Sequence, residues 1–244
     1  MNAFTKQIIM DMLKTRKNMI FILIVFILQI YSLVKLVKGF NNVEESLVLV
    51  HHYFFNTALI PYFVIPFFIF CVGDLLEKLN KLVVFTRLNS KKRRIQKNVI
   101  IISMAIFYTL LLNSGFFIYI SLVGINHYNN LIEGIIVFLG LILSVLGMYL
   151  IGKISILIGF IMMNKFLSFL CIYLLLILPE FIKGVFYSPI YSYIDYIFYM
   201  NLNHQSIFMD MFFIIFTICA GIIFAEISIF YLWKRKDLTL EKVN

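Results

Sequence analysis

Apolar residues dominate this chain in long runs, and polar residues interrupt it in a few short places. Crossing the hydrocarbon core of a bilayer takes about 20 apolar residues in a helix. The chain of 244 residues offers six such runs: about Asn18–Leu36, Thr57–Leu76, Asn98–Gly124, Glu133 to beyond Lys153, Phe166–Leu178 with extension to Ile182, and Met211–Trp233. The stretch from Asn98 to Ile132 carries no formal charge over 35 residues, which is too long for one perpendicular span. Its end, INHYNNLI, suits a turn because Asn side chains bond local backbone. The pattern predicts an all-α polytopic membrane protein with six transmembrane helices occupying residues 18–233.

Some elements are not plain spans. In residues 1–17 Phe4, Ile8, Met12 and Leu13 recur at helical spacing between Lys6, Asp11, Lys14 and Lys17, predicting an amphipathic helix in the inner headgroup region. Residues 39–56, with Glu44, Glu45, His51 and His52, read as an outer loop. The adjacent His pair is a poor chelator, because neighbouring helical residues point about 100° apart, so no metal site is expected. Pro61 and Pro66 predict a bent or broken outer half of the second span. Gly134, Gly140, Gly147, Gly152 and Gly159 give the fourth span a small-residue face for close helix packing. Met162–Lys165 is a tight turn, and Pro179 with Glu180 is expected to break the fifth span. Residues 183–209 form neither a clean span nor a polar loop. There Tyr187, Tyr191, Tyr193, Tyr196 and Tyr199 alternate with Ile and Phe, predicting short re-entrant or interfacial helices on the outer leaflet.

Composition agrees: 62% of residues are hydrophobic, only 14% are charged, and the mean hydropathy is +0.98, whereas a soluble domain carries about 25% charged residues. The net charge of +9 is not spread evenly. Glu77–Lys97 holds eight Lys and Arg, flanked on both sides by apolar runs. Short basic loops stay cytosolic. That orientation puts 18 of the 21 basic residues and both termini, including the tail 234–244, in the cytosol. Anionic lipid is then the expected counter-charge, and nothing points to nucleic acid. A multi-pass protein of the plasma membrane follows.

Candidate chemistry is sparse. Cys71, Cys171 and Cys219 lie in apolar runs and read as packing residues. There is no GxxxxGK[ST], HExxH or GxSxG motif, so no ATPase or hydrolase site is expected in the chain itself. Glu226 is the one acid well inside a span, about two turns from its inner edge. An intramembrane ionisable group is a functional-site candidate with a partner to be named. A salt bridge to a basic residue of the N-terminal helix or the inner loops is the expectation here, ahead of proton transfer.

An amphipathic N-terminal helix, six spans, a basic loop after the second, and broken helices before the sixth: this layout resembles the permease subunit of a type-2 ABC exporter. In that family the second span runs into a cytosolic coupling helix. Its pattern is an acid, an apolar stretch, a Pro/Ser–basic step, and a Lys opening the third span. Here Glu77, Leu82–Phe85, Arg87, Ser90–Lys91 and Lys97 follow that order, while the usual Gly-Thr and Pro are absent. The resemblance assigns the ATPase contact to Glu77, Phe85, Arg87, Leu88, Asn89, Ser90 and Lys91. It implies a half-transporter, in which two such chains, identical or homologous, pair with two separately encoded ATPase subunits that hold ATP and Mg. The chain itself would hold no cofactor. The apolar, aromatic interior and a Phe-, Ile- and Lys-rich bacterial composition suit a hydrophobic or amphipathic cargo, foremost a bacteriocin or cytolytic peptide. The alternatives are an ABC permease for a drug, lipid or ion; an ATPase-independent proton- or sodium-coupled carrier built on Glu226, Glu180 and Asp195; and a membrane sensor.

Overall fold

The structure, a computed structural model, describes residues 10, 14–39, 47–54, 64–74, 90–123, 131–162, 164–186 and 207–241. They form helices throughout, with no strand among them: α1 (Arg16–Gly39), α2 (Leu47–Phe54), α3 (Ile65–Asp74), α4 (Ser90–Leu112), α5 (Ser114–Val123), α6 (Leu131–Met162), α7 (Lys165–Phe186) and α8 (Ile207–Glu241). Among the described residues, four stretches are long and apolar enough to cross a membrane: Asn18–Lys35, Arg94–Leu112, Leu131–Met162 and Met209–Leu232. The chain is an all-α membrane protein. In lipid only a backbone that satisfies its own hydrogen bonds can span, and a helix does so within each segment.

Helix α6 is the axis. It packs against α2, α4, α7 and α8, and half of its apolar length is buried, against 22% for the spans of α1 and α8. It contributes to two apolar cores. One joins it to α1, α3, α4 and α7 through Phe21, Phe68, Ile101, Tyr108, Met148 and Ile172. The other joins it to α2, α5 and α8 through Val50, Phe54, Phe116, Leu143 and Ile214. On α8, Phe212, Phe213, Phe216, Phe224 and Phe230 point outward and are mostly exposed; this is the surface a lipid-facing helix presents.

The sequence-based expectations hold in places and fail in others. Asn164 Oδ1 accepts from the backbone N–H of Phe166 and Leu167, so it caps α7 just after α6 ends; the tight turn lies where Asn164 and Lys165 placed it. Pro66 lies within helical residues that run from Val64 through α3, while Pro61 lies outside the described residues. Pro179 does not stop the fifth apolar run: α7 continues through it to Phe186. A proline removes one ladder bond, and a membrane helix can carry that loss.

The expected outer loop 39–56 contains a buried helix. Residues Leu47, Val50, His51 and Phe54 of α2 share one face at i, i+3, i+4 and i+7. Val50, His51 and Phe54 are each no more than 2% exposed. The carboxylate of Glu133 on α6 accepts from the Leu47 N–H at 2.5 Å and fixes the start of α2. The third span also differs from a single rod. It is interrupted for one residue, Asn113, between α4 and α5. Asn113 Nδ2 donates to the Thr109 carbonyl and Ser114 Oγ to the Leu111 carbonyl. Such side-chain bonds compete with the backbone ladder and bend a helix.

Of the five α6 glycines, Gly140, Gly147 and Gly152 are buried, while Gly134 and Gly159 are exposed. The small-residue face is therefore the middle of the helix. Gly152 meets Ile101 of α4, and a Cβ there would lie inside the Ile101 Cγ2 methyl. Gly221 of α8 approaches Leu150 of α6, where a Cβ would sit 3.1 Å from Cδ2.

Candidate functional site

Glu226 lies on α8 six residues before the end of its apolar span at Leu232, or about 9 Å along the helix axis. Two cations from two other helices converge on it. Lys153 Nζ, from the interior of α6, donates to Glu226 Oε2 and to Asn98 Oδ1. Arg94 Nε, from the first turns of α4, donates to Glu226 Oε1 at 2.5 Å. Asn98 Nδ2 also donates to Oε1, at 3.3 Å. Both carboxylate oxygens are thus engaged, and Asn98 bridges acid and amine. The Lys153 side chain is 1% exposed and that of Glu226 19%, while Arg94, at 39%, stands at the rim.

Helix geometry makes this possible. Residues 94 and 98 are one turn apart on α4 and present one face. Close approach of α4 and α6 at Ile101 and Gly152 brings Asn98 to Lys153. Aromatic rings complete the walls. The Arg94 guanidinium lies 5.2 Å from the centre of the Phe230 ring, Lys97 Nζ 5.6 Å from that of Phe160, and Lys153 Nζ 5.2 Å from that of Tyr149. Arg94, Lys97, Asn98, Lys153, Glu226 and Phe230 surround a small pocket of about 20 Å³.

Sequence reasoning singled out Glu226 and looked for its partner in the N-terminal helix or inner loops. Arg94, from the basic segment, is such a partner. Lys153 was missed as one, although a lone cation in a 32-residue apolar helix is as unusual as a lone acid. Ser90 and Lys91 open α4. Glu77, Phe85, Arg87, Leu88 and Asn89 lie outside the described residues, as do Tyr187, Tyr191, Tyr193, Tyr196 and Tyr199. The same holds for Glu44, Glu45 and nearly all of residues 1–13.

A second polar cluster sits at the α4–α5 interruption, and it too was missed. His51 Nε2 and Asn113 Oδ1 are 2.7 Å apart, both residues fully buried. Because Asn113 Nδ2 donates to Thr109 O, its Oδ1 is the acceptor and His51 Nε2 the donor. Gln29 Nε2 donates to the Phe54 carbonyl at 3.4 Å. Gln29 Oε1 lies against Gly115, where a Cβ would be 2.5 Å away. Asn113→Leu is expected to cost about 1–3 kcal/mol by stripping the acceptor from a buried donor. The double variant with His51→Phe should recover most of that loss, read as the midpoint of thermal unfolding in detergent. Equal midpoints for wild type and Asn113→Leu would show that the bond contributes nothing.

Compared with protein families, curated proteins and solved structures, the chain finds no match.

Proposed function

We propose that this chain is the membrane-spanning permease subunit of an ATP-binding-cassette exporter. It would have six spans and both termini in the cytosol, and residues 77–97 would form the docking element for a separate ATPase. Two permease chains and two ATPase subunits would form the working unit. An amphipathic or hydrophobic cargo, foremost a cytolytic or bacteriocin-type peptide, would enter from the inner leaflet, where its apolar face already resides.

The observation that carries this reading is the path from the basic segment into the bundle. Helix α4 begins at Ser90 within that segment, and Arg94 and Asn98 in its first turns engage Glu226 on α8 and Lys153 on α6. A push on the start of α4 would reach the central helix and the last span through charge-assisted bonds, which are short and directional. A subunit driven by an external motor needs such a connection.

The test is affinity purification of the full chain from its native membrane. An ABC-type ATPase is expected in the complex. Arg87→Glu combined with Lys91→Glu should remove it while the protein remains inserted. A double variant that retains its ATPase, or labelling that places residues 87–94 outside the cell, would overturn the reading.

A further inference from the structure

Arg94 occupies a cation seat. Its guanidinium lies between a carboxylate oxygen, Glu226 Oε1 at 2.5 Å, and the Phe230 ring, whose centre is 5.2 Å away. An acid on one side and an aromatic face on the other is the chemistry that recognises guanidinium and ammonium groups. The two cations on Glu226 are not equivalent. Lys153 is buried in the middle of α6 and binds both Oε2 and Asn98, so it is fixed. Arg94 stands at the rim, one turn past the start of α4 at Ser90, with its side chain 39% exposed. An arginine at such a rim regains water when it lets go, so the net hold of its ion pair is small.

When Arg94 turns outward, Glu226 keeps Lys153 on Oε2 and Asn98 on Oε1, so the acid is never left bare. The seat is then open at the rim, and its size is that of the guanidinium that left it. The pocket beneath, of about 20 Å³, suits one water, so a guest's head takes the place of the Arg94 head and goes no deeper. Replacing one cation by another adds no charge. Lys153, and Lys97 buried against the Phe160 ring, therefore meet the same field as before. Beside the seat, Ile227, Phe230 and Tyr231 form an exposed apolar face on α8 at i, i+3 and i+4. A guest meets a carboxylate oxygen and a ring for its head, and apolar surface for its body.

We propose that the seat formed by Glu226 and Phe230 exchanges Arg94 for the guanidinium or ammonium head of a cationic amphipathic guest, whose apolar body lies along Ile227 and Tyr231. Arg94 is the internal competitor, and a guest binds only while that side chain is swung out. If the chain is the permease proposed above, the guest is its cargo, which then carries a positive charge; the cargo role rests on that reading, and the seat does not.

The test measures binding of dodecylguanidinium to the full chain in phosphatidylcholine nanodiscs by equilibrium dialysis, with uptake by empty nanodiscs subtracted. The wild type is expected to show one weak, saturable site, and dodecanol, the same tail with a neutral head, none. Arg94→Met, which keeps the stem and removes the competitor, should bind about tenfold more tightly, as follows if Arg94 fills the seat about nine-tenths of the time. Adding Phe230→Leu, which changes no charge, should weaken that binding roughly fivefold by removing the ring. Tightening by Arg94→Met without any response to Phe230→Leu would trace to the lost charge in general and overturns the seat. So does an unchanged affinity in Arg94→Met, or equal binding of dodecanol. Should Arg94→Met fail to fold, the wild type decides: a saturable guanidinium site that dodecanol does not share supports the seat, and its absence overturns it. ATPase co-purification is a separate readout, so the seat can fail while the permease reading stands, and the reverse.

Discussion

Glu226→Gln is expected to destabilise the folded protein by about 3 kcal/mol, near the low end for removing one partner of a buried ion pair because the carboxylate is partly open. Two cations lose their shared acid at once. Arg94, at the rim, can turn toward water or headgroups. Lys153 cannot: its side chain is 1% exposed, in the middle of the central helix. Its remaining polar contact, Asn98 Oδ1, is neutral. Lys153→Met alone is expected to cost less, because Glu226 keeps Arg94 and Asn98. The pair Lys153→Met with Glu226→Leu should lie closer to wild type than Glu226→Gln does, since apolar residues of similar size often replace a buried pair without loss. Unfolding in mixed detergent–dodecyl sulfate micelles measures all three. Additive losses, with no coupling between positions 153 and 226, would show that the contact carries no energy.

The second large effect is expected at Gly152, where α6 and α4 touch. A Cβ there would overlap Ile101 Cγ2, and Phe68 Cζ stands 3.6 Å away on the third helix. Ile101 and Phe68 are both 0% exposed, so neither has space to retreat. Gly152→Val must therefore push α4 from α6. The expected cost is about 3 kcal/mol, the upper range for an overpacked core, and the shift also draws Asn98 away from Lys153. Gly152→Ala should cost less, because the better helix propensity of alanine offsets part of the clash. Ile101→Ala on top of Gly152→Val is expected to restore part of the stability, by freeing the space the new methyls need. Gly134→Ala, on the same helix with nothing within 4 Å of the added atom, is the control and should be neutral or stabilising by up to about 1 kcal/mol. If Gly152→Val unfolds like Gly134→Ala, the two helices are not in the contact described.

Both effects depend on pairs far apart in the chain, and that limits what could be read beforehand. The length of an apolar run is a local property, and in lipid each helix closes its own backbone bonds. Membrane residence, helical structure and the Asn164 turn were therefore legible from short windows. A window also suffices to mark Glu226 as out of place among apolar neighbours. It did not mark α2, because Leu47–Phe54 is eight residues with two histidines and looks like a polar loop until its buried face is known. Nor did it show the interruption at Asn113, where single Asn and Ser side chains bond the Thr109 and Leu111 carbonyls within an otherwise uniform apolar run.

The sequence alone determined that this chain is a bundle of membrane helices with one acid stranded in the last of them, because hydropathy and helical periodicity act over a few turns. Tertiary structure alone decided which groups answer that acid. Lys153 is 73 residues from Glu226 and Arg94 is 132, and only the close approach of α4 to α6 at Gly152, with α8 packed on α6, brings the three charges together. Which helix faces meet depends on side-chain shape at distant positions, and no local pattern encodes it.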